Sequence, residues 1–298
     1  MKTFILKVIF YLMLLILIIL GTFFSITNHF RKYPFHRNYQ TIFLGDSRVQ
    51  YLYFNRDNLA HNSESYKFSF FKLKSINQLH HIDTVYVGCS HHSFSGYFNQ
   101  YINNQDEVIP RYFVISPDKS KILLDYQFLQ LHFLIKKQVE LAWESLYHHK
   151  NYIPGGFASP FNRVVDFNKV KKRIQQQFFR GKSIMPFSAE QLQYFDSIVH
   201  FCKLNQTQLI LINTPVHPEY KKQIPQKYIQ KYLQKTQNLQ ILDLSNYLAK
   251  NDEFMPDGDH ISWKAYLKTT HEINLKRHEF SLKKDSLNVC KEHQSHKN

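Results

Sequence analysis

The sequence predicts an α/β protein with a mainly parallel, five-stranded sheet in a three-layer arrangement, preceded by one N-terminal transmembrane helix. Three observations predict it. Short, continuous, β-branched runs recur along the chain, as strands covered on both faces do. Helical patterns separate those runs, and strands alternating with helices build a parallel sheet. At the start, residues 8–24 (VIFYLMLLILIILGTFF) contain no charge, and extension to Ile26 approaches the roughly 20 residues that cross a bilayer.

The first element, residues 1–26, is read as an uncleaved anchor, with a signal peptide as the alternative. Lys2 and Lys7 form a basic start, but GTFFSITNHF places bulky residues where a signal peptidase needs small ones. Residues 27–40 form a basic, aromatic linker. Arg31, Lys32 and Arg37 follow the span and outnumber the basic residues before it, so charge alone places the remaining chain in the cytoplasm.

The domain then spans 41–276. Its expected strands are TIFLG (41–45), TVYVG (84–88), RYFVI (111–115), QLILIN (208–213) and LQILDL (239–244). Helices are expected at 69–80 and at 188–204, the latter opening with Ser188 and Gln191 at capping-box spacing. Between about 120 and 187 the alternation gives way to a helical insert. From Arg163 to Lys182 it carries seven Lys or Arg against one acid, Asp166. Such a run is ordinarily a solvated helix face, and the sharper reading is a cap that docks on an anionic surface. Residues 277–298, poor in apolar side chains, are expected to be a disordered tail.

Bulk properties narrow the function. The chain of 298 residues is 43% hydrophobic and 16% aromatic, enough for a substantial core. Its formal charge of +15 suits a polyanion, but a membrane span without a recognised nucleic-acid motif argues against nucleic acid. Cys89, Cys202 and Cys290 are odd in number and scattered, indicating neither a disulfide framework nor a zinc site. No cofactor is expected.

Two short blocks carry chemistry. GDS, residues 45–47, follows the first strand and presents Ser47 at the carboxyl edge of the sheet. Near the other end, DGDH places Asp257 three residues before His260, just ahead of the last helix. A serine hydroxyl is too weak an acid to attack an ester unaided, so a neutral histidine must take its proton as attack proceeds. A carboxylate on the second ring nitrogen then fixes the tautomer. Ser47, His260 and Asp257 supply those three roles.

On these blocks the chain resembles the SGNH (GDSL-like) hydrolases. The resemblance implies a flavodoxin-like α/β/α sandwich, with Ser47 as nucleophile, His260 as base and Asp257 as its orienter; Asp259 is not the family's position. It also implies an oxyanion hole from the serine N–H, a glycine N–H and an asparagine side chain. Here AHNSESY (60–66) has no glycine, leaving Asn62 or Ser63 as donors. VGCSHHSFSG (87–96) replaces glycine-x-asparagine, leaving Ser90 or His91 as stand-ins. GCSHH also approaches the nucleophile elbow G-x-S-x-G, but His92 stands where the last glycine is required. His91 and His92 with an aspartate are a minor metal alternative, because adjacent histidines point apart. His217, in INTPVHPEY after the fourth expected strand, is a further candidate for substrate contact.

Membrane-anchored relatives in that family act on acylated cell-surface polymers. By that analogy the expectation is a single-pass protein of the cytoplasmic membrane with its domain outside, acting as an esterase or O-acyltransferase on an acylated envelope glycan or lipid. The alternative is a non-catalytic scaffold or glycan-binding protein on the same fold. A third class, a basic peripheral protein, would act through its positive insert alone.

Overall fold

The computed structural model describes residues 2–32, 39–52, 57–116, 130–148, 155–161 and 163–277, with isolated positions between 117 and 130. Helix α1 (Lys2–Lys32) contains the apolar run and continues past the expected end of the anchor at 26. Its side chains from Phe4 to Ile18 are largely exposed. Among the described residues, no helix is long and apolar enough to cross a membrane. Residues 33–38 of the expected linker and 278–298 of the expected tail lie outside the described residues.

Four of the expected strands form one parallel sheet in the order β1 (Thr41–Leu44), β2 (Thr84–Gly88), β3 (Gln208–Asn213), β4 (Gln240–Asp243). The register sets Phe43 beside Tyr86, Val87 beside Leu211 and Ile212 beside Leu242. Period-two alternation sorts these residues onto two faces. Ile42, Leu44, Val85, Val87 and Leu211 pack under α2 (Tyr66–Asn77) and α3 (Ala189–Leu204). Phe43, Tyr86, Ile210, Ile212 and Leu242 pack against Val49, Leu52 and the helix 263–277 through Ala265, Tyr266 and Ile273. Both faces are covered, which is why the strands read as continuous apolar runs.

The fifth expected strand, 111–115, is a correction. RYFVI lies in helical turns, Val108–Tyr112 followed by Phe113–Ile115. Asn104 accepts the N–H groups of Glu107 and Val108 and starts the helix. Tyr112 ends in the core, its ring stacked on Phe68 at 4.2 Å. A five-residue apolar run has too little period to choose its own state, so tertiary packing chose. The edge beside β1 is occupied instead by a single bridge. Phe43 N–H donates to Asp57 O and Leu59 N–H to Phe43 O, pairing Asn58 parallel to β1 on the side away from β2. The chain therefore leaves the end of β1 toward one edge and returns on the other side, which opens a crevice above β1.

The helix expected at 69–80 is α2, begun three residues earlier. At α3, Ser188 Oγ accepts the Gln191 N–H at 3.1 Å, but the Gln191 side chain turns away to bond Tyr66 N–H and Ser93 O, so only half the capping box forms. In the insert, α4 (Leu131–His148) runs beside α1. Helix α5 (Phe167–Phe178) docks on the body through Val170, Ile174 and Phe178, which meet Val216, Tyr220 and Tyr228. Arg163, Lys169, Lys171 and Lys172 face solvent, while Arg173 is partly buried.

Candidate active site

Gly45 ends β1 at a φ of +141°, and a Cβ there would stand 3.0 Å from Val49 Cγ2 and 3.3 Å from the Gly88 backbone. Glycine lets the chain turn sharply where two strand ends approach. Asp46 then caps the short helical turn Ser47–Gln50, accepting the Arg48 N–H at 3.0 Å. Ser47 is thereby offered at the mouth of the crevice.

The opposite wall is the turn 254–262. Phe254 and Ile261 bridge in antiparallel fashion, and Met255 N–H donates to His260 O. Gly258 takes a φ of +66°, and Asp257 Oδ1 accepts the backbone N–H groups of Asp259 and His260. This turn aims the His260 ring at Ser47: Nε2 lies 2.8 Å from Ser47 Oγ. On the other side of the ring, Nδ1 lies 2.8 Å from Asp257 Oδ2. With Nδ1–H given to the carboxylate, Nε2 carries the lone pair and accepts the Ser47 hydroxyl proton. Burial works to raise the Asp257 pKa, but the charge and hydrogen bond of His260, with Arg173 nearby, outweigh it and leave the carboxyl lowered. Tyr51 sets its ring edge-on to His260, centroids 5.4 Å apart. These groups line a cleft of about 360 Å³.

Asn62 and Ser63 line the same cleft. Ser63 sits at a φ of +62°, the left-handed conformation that glycine adopts without strain, so the backbone keeps a glycine-like turn without the glycine. A buried pair braces that turn from beneath. Lys72 bonds Glu64, whose carboxylate also accepts from Ser69 Oγ and Tyr112 O–H. Burial pushes both members toward their neutral forms, raising Glu64 and lowering Lys72.

The other three candidates lie elsewhere. Ser90 Oγ accepts from Arg48 Nη1 at 2.7 Å, so its own proton goes to His92 Nδ1 at 2.8 Å, and His92 Nε2–H donates to Asp46 Oδ2 at 2.9 Å. Ser90 is thus a buried link behind Ser47 and does not line the cleft. His92, which does, is held neutral: burial, reinforced by Arg48, lowers its pKa to about 3. Burial also works to raise Asp46, yet the hydrogen bond and charge of His92 and the Arg48 charge leave it lowered. His91 turns away from His92 and packs on Tyr232 at 4.7 Å. His217 accepts the Glu219 N–H and donates through Nε2 to Asn251, bracing a turn outside the cleft.

A second network lies behind these three residues, and apart from Arg173 and Gln177, four residues apart on α5, its members share no spacing. Buried Asp259 pairs with Arg48, with Arg173 Nε at 2.7 Å and with Gln177 Nε2 at 2.8 Å. Arg48 also donates to the Tyr220 hydroxyl oxygen at 2.8 Å, and Tyr220 O–H donates to Gln177 Oε1, closing a ring. Asp257, Asp259 and His260 bring possible metal-ligand atoms within 4.8 Å of one another. Two guanidinium groups already neutralise Asp259, and His260 is engaged on both ring nitrogens, so this donor set suits an ion-pair network better than a cation.

No protein-family model matches the chain, and no curated protein matches it.

Proposed function

We propose that the protein is a membrane-anchored serine esterase or O-acyltransferase acting on an acylated cell-envelope glycan or lipid, on the flavodoxin-like plan of the SGNH hydrolases. One observation carries the reading: Ser47, His260 and Asp257 form a continuous hydrogen-bonded line, 2.8 Å at each step, opening into a cleft. Ser47 Oγ attacks the acyl carbon as its proton passes to His260 Nε2. The alkoxide leaves with that proton, and an acyl-Ser47 ester remains. Water or a sugar hydroxyl then attacks this ester and gives its proton to His260, which passes it to the departing Ser47 Oγ and so restores the hydroxyl. Asp257 holds the imidazole and stabilises its charged form throughout. The tetrahedral oxyanion needs donors, and the Ser47 N–H with the Asn62–Ser63 turn would supply them. The anchor reading rests on the uncharged run 8–24 and the exposed apolar side chains of α1. Placing the domain outside the membrane rests on the family analogy.

The test is labelling of the full chain in detergent with a fluorophosphonate probe, beside Ser47→Ala and His260→Ala. Labelling of the parent, lost in both variants, is expected. A folded parent that does not label overturns the catalytic reading. That result would favour a non-catalytic glycan-binding protein on the same fold, a reading motivated by Ser90, which stands where the family has its asparagine and is already engaged by Arg48 and His92.

A further inference from the structure

A second cleft, of about 720 Å³, adjoins the first. The two share Tyr97 and Tyr101, so the tyrosine pair is a common wall between them. Their hydroxyl oxygens lie 2.8 Å apart, and Arg173 donates to the Tyr97 hydroxyl oxygen at 3.2 Å while its guanidinium lies 5.6 Å from the Tyr97 ring centroid. Beyond the tyrosines, the lining offers the amides of Asn99, Gln100 and Gln176 and the guanidinium of Arg180. Among the described residues no carboxylate lines this cleft, and its aliphatic walls are Met185 and Pro186.

This is a chemistry for a hydroxyl-rich, negatively charged chain. Amides both donate and accept, which suits hydroxyl groups that do the same. Aromatic rings offer apolar faces with a polar tip, and guanidinium groups take carboxylates in fork geometry. An acyl chain would need a deeper apolar lining than Met185 and Pro186 provide. Arg180 is the cationic group of the second cleft, whereas the first sets Arg173, paired with Asp259, beside the carboxylates of Asp46 and Asp257, so an anionic chain would meet its positive charge in the second cleft.

We propose that this second cleft binds the body of an anionic polysaccharide, with sugar rings on Tyr97 and Tyr101, carboxylates on Arg180, and one acyl-bearing residue at Ser47. Its role as the substrate's binding site rests on the catalytic reading of Ser47; the binding itself does not.

The experiment is calorimetric titration of the full chain in detergent with a galacturonic acid hexamer, maltohexaose and soluble dihexanoylphosphatidylglycerol. The acidic hexamer binds at least about tenfold more tightly than the neutral one, and Arg180→Ala and Asn99→Ala each weaken it about tenfold. Lys203→Ala, which removes an equal charge from an exposed position outside the lining of both clefts, leaves hexamer affinity unchanged. Thermal midpoints verify that the variants are folded, and if Arg180→Ala is not, Asn99→Ala decides. Absence of hexamer binding overturns the proposal, as does binding indifferent to both variants or weakened equally by Lys203→Ala. Binding of the phosphatidylglycerol in place of the hexamer overturns it in favour of a lipid headgroup. Ser47→Ala separates the two failures. Hexamer binding that persists in this variant, with no probe labelling of the parent, sinks the catalytic reading and keeps the glycan site; labelling without hexamer binding does the reverse.

Discussion

Asp257 and Asp259 are two residues apart in one turn, and isosteric substitution should affect stability at one and reactivity at the other. In Asp259→Asn the negative partner of Arg48 disappears while the Arg48 side chain stays only 4% exposed. Removing one member of a buried pair costs about 3–5 kcal/mol, because the remaining charge is left uncompensated. Against a total of about 5–15 kcal/mol for a domain, that is a large fraction, worth on the order of 10 °C in the thermal midpoint. In Asp257→Asn the affected side chain is 29% exposed and water can replace part of what is lost, so stability should move by less than about 1 kcal/mol. Its effect falls on His260: an amide no longer enforces Nδ1–H, and fluorophosphonate labelling should slow by roughly 10³–10⁴. Urea denaturation and second-order labelling rates, measured on both variants, read the two effects separately. Equal stability of the two variants would refute the buried-charge argument. Parental labelling in Asp257→Asn would refute the orienting role.

Other predictions follow from single observations. Gly258→Ala forces a side chain into φ +66° with its Cβ 2.9 Å from Val170 Cγ2, and should cost about 2 kcal/mol in urea denaturation and reduce labelling; parental values for both would show that the turn tolerates a side chain. Ser63→Gly relieves a left-handed serine and should raise stability by about 1 kcal/mol while keeping labelling, since the N–H remains. Asn62→Ala should slow labelling about a hundredfold if its amide serves the oxyanion, and an unchanged rate would remove Asn62 from that role. The pH dependence has a definite sign. His92 has a folded pKa of about 3 against 6.5 unfolded, so below pH 6.5 the unfolded chain binds more protons and stability falls. The slope from His92 is about 1.4 kcal/mol per pH unit down to its folded pKa. The lowered carboxyls of Asp46 and Asp257 add stability above 3.8 that is lost as pH falls below it. Denaturation from pH 7 to 4 should trace the histidine part of this fall, with a shallower slope in His92→Gln; an unaltered slope would refute the His92 assignment.

The sequence by itself determined the sheet's class and which serine, histidine and aspartate the fold brings into one hydrogen-bonded line. Apolar, β-branched runs repeated between helical segments point to a parallel sheet, because a sheet covered on both faces favours that pattern, while a single run such as 111–115 does not specify its own state. Gly45, Asp46 and Ser47 encode their turn locally, as do Asp257, Gly258 and His260, so both halves of the site are visible in the chain before they meet. Only the tertiary structure decided what those turns face. The run 111–115 was assigned by the place Tyr112 finds against Phe68 and Glu64, contacts made far along the chain. Ser90, His91 and His217 looked alike as candidates, yet Arg48, Tyr232 and Asn251 engage them outside the cleft. Arg48, Tyr220, Asp259 and the helical pair Arg173 and Gln177, four residues apart on α5, come from four separate segments, and only folding makes them one network. Local turn geometry is written in neighbouring residues, whereas burial and partner choice depend on what the rest of the chain brings within a few ångströms.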